Sequence, residues 1–174
     1  PIVALVGYTN AGKSTLFNLL TKARAYVADQ LFATLDTTSR HLYLTSECSI
    51  VISDTVGFIR QLPHTLIAAF RATLEETREA DLLVHVVDSS NSNRNQQIEE
   101  VNAVLTEIGA AAVPQLIVWN KTDLTETPPM IERDERSLPA AVRLSALSGE
   151  GVALLRLALA ERAGDLLEKQ NTFL

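Results

Sequence analysis

Residues 3–15 read VALVGYTNAGKST. Gly7, Gly12, Lys13 and Ser14 take the spacing G-x-x-x-x-G-K-S of a phosphate-binding loop. The run Ile2-Val3-Ala4-Leu5-Val6 ahead of it is continuously apolar, as a strand buried on both faces should be. Behind it, Leu16, Leu19 and Leu20 fall on one side of a helix. A loop between strand and helix can offer successive N–H groups and a helix N-terminus to an anion. Gly7 and Gly12 allow backbone paths that a side chain would block. Lys13 is placed to reach the β- and γ-phosphates, and the Ser14 hydroxyl to ligate Mg2+. Tyr8, Thr9, Asn10, Ala11 and Thr15 complete the candidate contacts of this loop. A mere glycine-rich turn with a surface lysine would lack the flanking strand and helix.

Outward from this loop, strand-like and helix-like runs alternate, which predicts βαβ units and an α/β fold. The expectation is a three-layer α/β/α P-loop NTPase domain with a six-stranded, mostly parallel sheet and one antiparallel edge strand. Strands are predicted at Ile2–Val6, His41–Thr45, Cys48–Ser53, Leu82–Asp88, Gln115–Trp119 and Val142–Ser145. The second and third are too closely linked to be parallel. Helices are predicted at Lys13–Lys22, Leu66–Arg78, Asn95–Ile108 and Glu150–Leu167. Pro128, Pro129 and Pro139 mark residues 125–140 as a loop with at most a helical turn.

The phosphate loop does not choose a base. In VWNKTDL, residues 118–124, Asn120-Lys121-x-Asp123 follows an apolar strand, at the strand's C-terminal end where ligands collect in open α/β sheets. The Asp123 carboxylate can accept from guanine N1–H and N2–H2, whereas adenine offers neither donor there. The Lys121 stem can lie along the base, and Asn120 can brace the loop. RLSALSGEG, residues 143–151, adds Ser145, Ala146 and Leu147, with the Ala146 N–H as a candidate donor to guanine O6. VISDTVGF, residues 51–58, ends a strand in Asp54-Thr55-Val56-Gly57; Asp54 can hold Mg2+ through water, and the Gly57 N–H can meet the γ-phosphate. In ADQLFATLDTT, residues 28–38, a hydroxyl is needed to complete the Mg2+ shell, and Thr34, Thr37 and Thr38 all compete for that role. Phe32, Ala33, Leu35 and Asp36 of this loop belong to the candidate contact set.

The 174 residues suffice for one domain, and 47% hydrophobic with 21% charged residues argues against disorder. A net charge of −6 does not describe a basic nucleic-acid clamp. The one cysteine, Cys48, excludes an internal disulfide framework and suits a reducing compartment; it reads as a buried, inert thiol. No apolar run is long enough for a membrane helix, and no signal peptide is visible. With Pro1 almost at the first strand and no initiator Met, the expectation is a domain (1–168) with a short tail (169–174), cut from a longer protein. His85 lies in an apolar strand and reads as a satisfied core residue; His41 and His64 form no cluster suited to zinc.

Taken in order, GYTNAGKS, Thr34, DTVG, NKTD and SAL resemble the translation-factor-related branch of P-loop GTPases. More narrowly, VGYTNAGKSTLFN, DQLFATLD, DTVGFIRQLPH and AFRATLEETREADLL are similar to the HflX family of ribosome-associated GTPases. The resemblance implies that Thr34 is the Mg2+-binding threonine of the first switch, and that Lys13, Thr34 and Gly57 form the catalytic set. It implies a missing N-terminal domain, GTP and GDP as ligands, and the large ribosomal subunit as partner in splitting stalled or idle ribosomes. A cytoplasmic monomer is expected. Where many GTPases carry a water-orienting glutamine after DxxG, this chain has Phe58, as is usual in the HflX family; a phenyl ring cannot orient water. Leu147 stands where many relatives have lysine. Asn10 occupies the position that helps hold K+ in cation-dependent GTPases. The expected activity is slow, partner-stimulated GTP hydrolysis. The alternative is a nucleotide-gated binding module in which hydrolysis only resets the switch. An ATP-dependent kinase is disfavoured by Asn120–Asp123.

Overall fold

The computed structural model describes residues 1–21, 38–54 and 71–172. Its elements are β1 (Ile2–Gly7), α1 (Lys13–Thr21), β2 (Thr38–Tyr43), β3 (Ser49–Asp54), α2 (Arg71–Glu79), β4 (Leu82–Asp88), α3 (Arg94–Glu107), β5 (Gln115–Asn120), the single turn α4 (Thr122–Thr125), β6 (Met130–Arg133), β7 (Pro139–Arg143) and α5 (Val152–Thr172). The strands form one sheet in the order β2-β3-β1-β4-β5-β7-β6. β1 pairs in parallel with both β3 and β4, and so lies inside the sheet. That position explains its unbroken apolar sequence. Val3 and Leu5 point to one face and pack with Leu16, Phe17, Leu155 and Leu159 from α1 and α5. Ala4 and Val6 point to the other and pack with Val101, Val104 and Leu105 from α3. The result is the expected three-layer α/β/α sandwich.

The sheet has seven strands rather than six, and two antiparallel edge pairs rather than one. The additional strand is β6, in the segment whose three prolines predict a loop. β6 is a four-residue edge strand, half-exposed, so it carries no buried apolar run to betray it. It is held in an antiparallel hairpin with β7. Asp134 builds the turn: its Oδ1 accepts from the N–H groups of Arg136 at 2.8 Å and Leu138 at 3.1 Å. Pro139 is the first residue of β7, where a missing N–H is tolerated. β7 therefore ends at Arg143, and Ser145 and Ala146 lie just beyond the strand rather than at its end. α5 runs to Thr172, past the predicted stop at Leu167. In α1 the inner face is Leu16, Phe17 and Leu20, whereas Leu19 is 40% exposed. Cys48 is only partly buried against the main core.

His85 on β4 is buried, and its Nδ1 lies 3.3 Å from Gln115 Oε1. Burial pushes its pKa down to about 4, only partly opposed by the Gln115 hydrogen bond. The unfolded chain binds this proton near pH 6.5 and the folded chain does not, so stability should fall as pH drops from about 6.5 towards 4. The loss should reach roughly 2–3 kcal/mol at the acid end. His85→Gln should flatten that part of the curve, which urea unfolding at pH 7 and pH 5 measures directly.

Candidate functional site

The C-terminal ends of β1, β3, β4 and β5 converge on the loop of residues 8–12. Gly7 ends β1 against β4: a Cβ placed there would sit 2.6 Å from the Val86 carbonyl oxygen, so only glycine fits. Asn10 has φ 65 and Gly12 φ 98, which fold the loop back over the first turn of α1. The Ala11 N–H closes the loop by donating to the Tyr8 carbonyl at 3.3 Å.

Lys13 and Ser14 open α1 and face Asp54, the last residue of β3. Lys13 Nζ donates to Asp54 Oδ1, and Ser14 Oγ donates to Asp54 Oδ2 at 3.1 Å. The Lys13 and Asp54 side chains are almost fully buried. Burial pulls the Lys13 pKa down, and the Asp54 charge beside it opposes that shift. Together the Ser14 hydroxyl and Asp54 carboxylate make a hard oxygen donor set of the kind Mg2+ prefers. Of the remaining second- and third-loop candidates, Phe32, Ala33, Thr34, Leu35, Asp36, Thr55, Val56, Gly57 and Phe58 lie outside the described residues, as do Thr37 and His64. No cluster of three metal-ligating residues occurs among the described residues.

Asn120 ties the parts together. Its Nδ2 donates to the Ala11 carbonyl at 2.8 Å, and its Oδ1 accepts from the Ala146 N–H at 2.9 Å. One buried amide thus bridges the phosphate-type loop, the loop after β5 and the loop after β7. The Ala146 N–H, expected to face guanine O6, is engaged by Asn120, so any base contact would have to share it. Lys121 adopts φ 67 and donates through Nζ to the Asn10 carbonyl at 2.9 Å. Asp123 is exposed, and its Oδ1 accepts from Ser145 Oγ at 2.8 Å. Ser145 is buried, while Leu147 projects outward, 83% exposed. The structure thus gathers loop 8–12, Lys13, Ser14, Asp54, Asn120, Lys121, Asp123, Ser145 and Ala146 along one edge of the sheet.

Two residues at this edge escape sequence reasoning. The Asp88 carboxylate, ending β4, lies 3.1 Å from Lys121 Nζ. The Ser89 N–H donates to the Asn120 carbonyl at 3.0 Å. Their signal was polar residues at the C-terminal end of an apolar parallel strand.

This fold and this convergence of loops define the P-loop GTPase class. The sequence matches the family described as 50S ribosome-binding GTPase over residues 2–121. It is 56% identical over 163 residues to GTPase HflX of Escherichia coli strain K12, covering 93% of this chain and 38% of that protein. Against GTPase HflX of Magnetococcus marinus the identity is 49% over 172 residues, covering 99% of this chain and 40% of that protein. The chain belongs to the 50S ribosome-binding GTPase family, in its HflX branch. It spans about two fifths of the length of these curated relatives. Among solved structures, a GTP-binding protein from Sulfolobus solfataricus in complex with GDP superposes with TM-score 0.71 at 30% identity, covering 95% of this chain and 53% of that one. Era from Aquifex aeolicus, at 21% identity and TM-score 0.69 over 91% of this chain and 55% of that one, shares the fold.

Proposed function

We propose that this GTPase domain is the nucleotide switch of a longer protein that acts on the large ribosomal subunit, in splitting or rescuing ribosomes, as a monomer in the cytoplasm. Residues 1–168 form the switch unit, with an N-terminal domain preceding it in the parent protein. The observation that carries the nucleotide reading is the Asn120 bridge, which joins loop 8–12 to the loops bearing Asp123 and Ala146. It couples a phosphate cradle to a base-reading loop in one rigid unit.

In this reading Lys13 exchanges the Asp54 carboxylate for phosphate oxygens when GTP binds. Ser14 and Thr34, with Asp54 through water, would hold Mg2+, which would supply charge neutralisation at the phosphates. Gly57 and Thr34 sense the γ-phosphate. Asp123 reads the guanine edge with both carboxylate oxygens, Oδ1 accepting from the base with the lone pair that Ser145 Oγ does not use. Phe58 offers no group to orient water, so intrinsic hydrolysis is slow and a partner supplies positioning or charge. A K+ ion beside Asn10 is a further element of this reading; the left-handed Asn10 backbone supports a specialised loop there. Equal rates in K+ and Na+ would remove it.

Hydrolysis by the full-length protein, measured with and without large ribosomal subunits, tests the reading. Stimulation of at least about tenfold is expected, and no stimulation would sink the ribosomal part. If a nonhydrolysable GTP analogue supports a full single round of action, the domain is a nucleotide-gated binding module and hydrolysis only resets it.

A further inference from the structure

We propose that Asp88, the last residue of β4, and Ser89, the first after it, are positioning residues for guanine recognition, acting through Lys121 and Asn120. The inference rests on the guanine reading above and extends it to a loop outside the usual nucleotide motifs. Asp88 and Asn120 are register partners at the ends of the parallel strands β4 and β5. This places the β4 loop against the first residues of NKTD. Two separate links cross that gap. Ser89 closes on the Asn120 carbonyl with both its N–H, at 3.0 Å, and its hydroxyl, at 2.5 Å. Asp88 Oδ2 pairs with the Lys121 ammonium at 3.1 Å.

The division of labour within the Asp88 carboxylate gives the pairing its direction. Oδ1 accepts from the Ser90 N–H at 2.9 Å and from the Ser90 hydroxyl at 2.5 Å. That turn fixes the carboxylate plane and leaves Oδ2 aimed at Lys121. Burial raises the Asp88 pKa, but the Ser90 and Lys121 hydrogen bonds and the Lys121 charge outweigh it and hold the group ionised well below neutrality.

Lys121 is the element that needs such support. Its backbone is left-handed, its side chain is long and about one third exposed, and its ammonium also donates to the Asn10 carbonyl. A free lysine side chain samples many rotamers. Held between Asp88 and the Asn10 carbonyl, the stem is fixed in one path between the loop after β5 and the phosphate loop, before any base arrives. Preorganisation of this kind lowers the ordering cost of binding. Ser89 does the same for the Asn120 backbone, whose side chain bridges the other two loops.

The direct test is the dissociation constant of a fluorescent GDP for this chain with Mg2+, across a double-mutant cycle. In Asp88→Asn, Ser90 retains the amide oxygen and the amide NH2 meets the Lys121 ammonium, donor against donor. We expect GDP affinity to fall about tenfold in Asp88→Asn. In a Lys121→Ala background the same substitution should cost less than about twofold, because the residue through which Asp88 acts is gone. Asp88→Glu, which keeps the charge, should recover most of the loss. Equal losses in both backgrounds, or no loss in Asp88→Asn while the native chain binds GDP, would overturn the positioning role. Failure of the native chain to bind GDP at all would instead overturn the guanine reading on which it stands.

Discussion

Gly12→Ala is expected to lower GDP affinity by at least about 100-fold while the domain remains folded. Gly12 has φ 98, a backbone conformation that L side chains rarely adopt. A Cβ there would also stand 2.1 Å from Asn120 Nδ2. The methyl group cannot be accommodated without moving the Asn120 side chain, the group it would meet. Displacing Asn120 breaks its hydrogen bonds to the Ala11 carbonyl and the Ala146 N–H together. Each buried partner left unsatisfied costs about 1–3 kcal/mol, and the backbone adds roughly 1–2 kcal/mol. Only the part of that cost that must be recovered to form the bound site enters the affinity; at about 1.4 kcal/mol per factor of ten, roughly 3 kcal/mol of it gives about 100-fold. The substitution acts on both halves of the nucleotide site at once. A thermal melt separates lost binding from lost folding. Affinity within threefold of the native chain would show that Asn120 can yield without consequence.

Asp123→Asn should weaken GDP binding by roughly 100- to 1,000-fold and create affinity for xanthosine diphosphate. The native carboxylate accepts from two donors on the guanine edge. An asparagine amide presents one acceptor and one NH2, and the NH2 meets the guanine N2–H2 donor head-on. Xanthine carries a carbonyl in place of that amine, so the amide matches it. Asp123 is exposed before the base arrives, and its pairing with Ser145 Oγ at 2.8 Å holds it in place. The penalty therefore arises when the base covers the group, and it should be smaller than for a carboxylate buried throughout. Competition of unlabelled GDP and xanthosine diphosphate against a fluorescent GDP measures both changes. Unchanged GDP affinity would remove Asp123 as the reader of the base.

The parts of this domain legible in the sequence are those in which one physical cause dominates. β1 is apolar along its length, and β4 but for His85 and its last residue Asp88, because helices cover both faces, so their runs stand out. GYTNAGKS is legible because Gly7 and Gly12 answer to steric limits set by the Val86 carbonyl and Asn120. β6 was hidden because an edge strand half-exposed between prolines has no apolar period. It is defined instead by its partner β7, and by the Glu132–Arg143 ion pair, whose Oε1 and Nε are 2.9 Å apart. Asp88 and Ser89 were hidden for a related reason. Their roles lie in contacts with Lys121 and Asn120, far along the chain, and only the register of β4 against β5 brings them together. The Ala146 N–H shows the converse. Its motif was legible, but its partner in this structure is Asn120 Oδ1, a contact that no local pattern reveals.

The most direct test of the account is base selectivity in the native chain. A fluorescent GDP is bound in Mg2+ and competed with unlabelled GDP and, separately, ATP. Displacement by GDP at stoichiometric excess is expected, and none by ATP even at about 1,000-fold excess. Displacement by ATP at the same concentrations as GDP would contradict it.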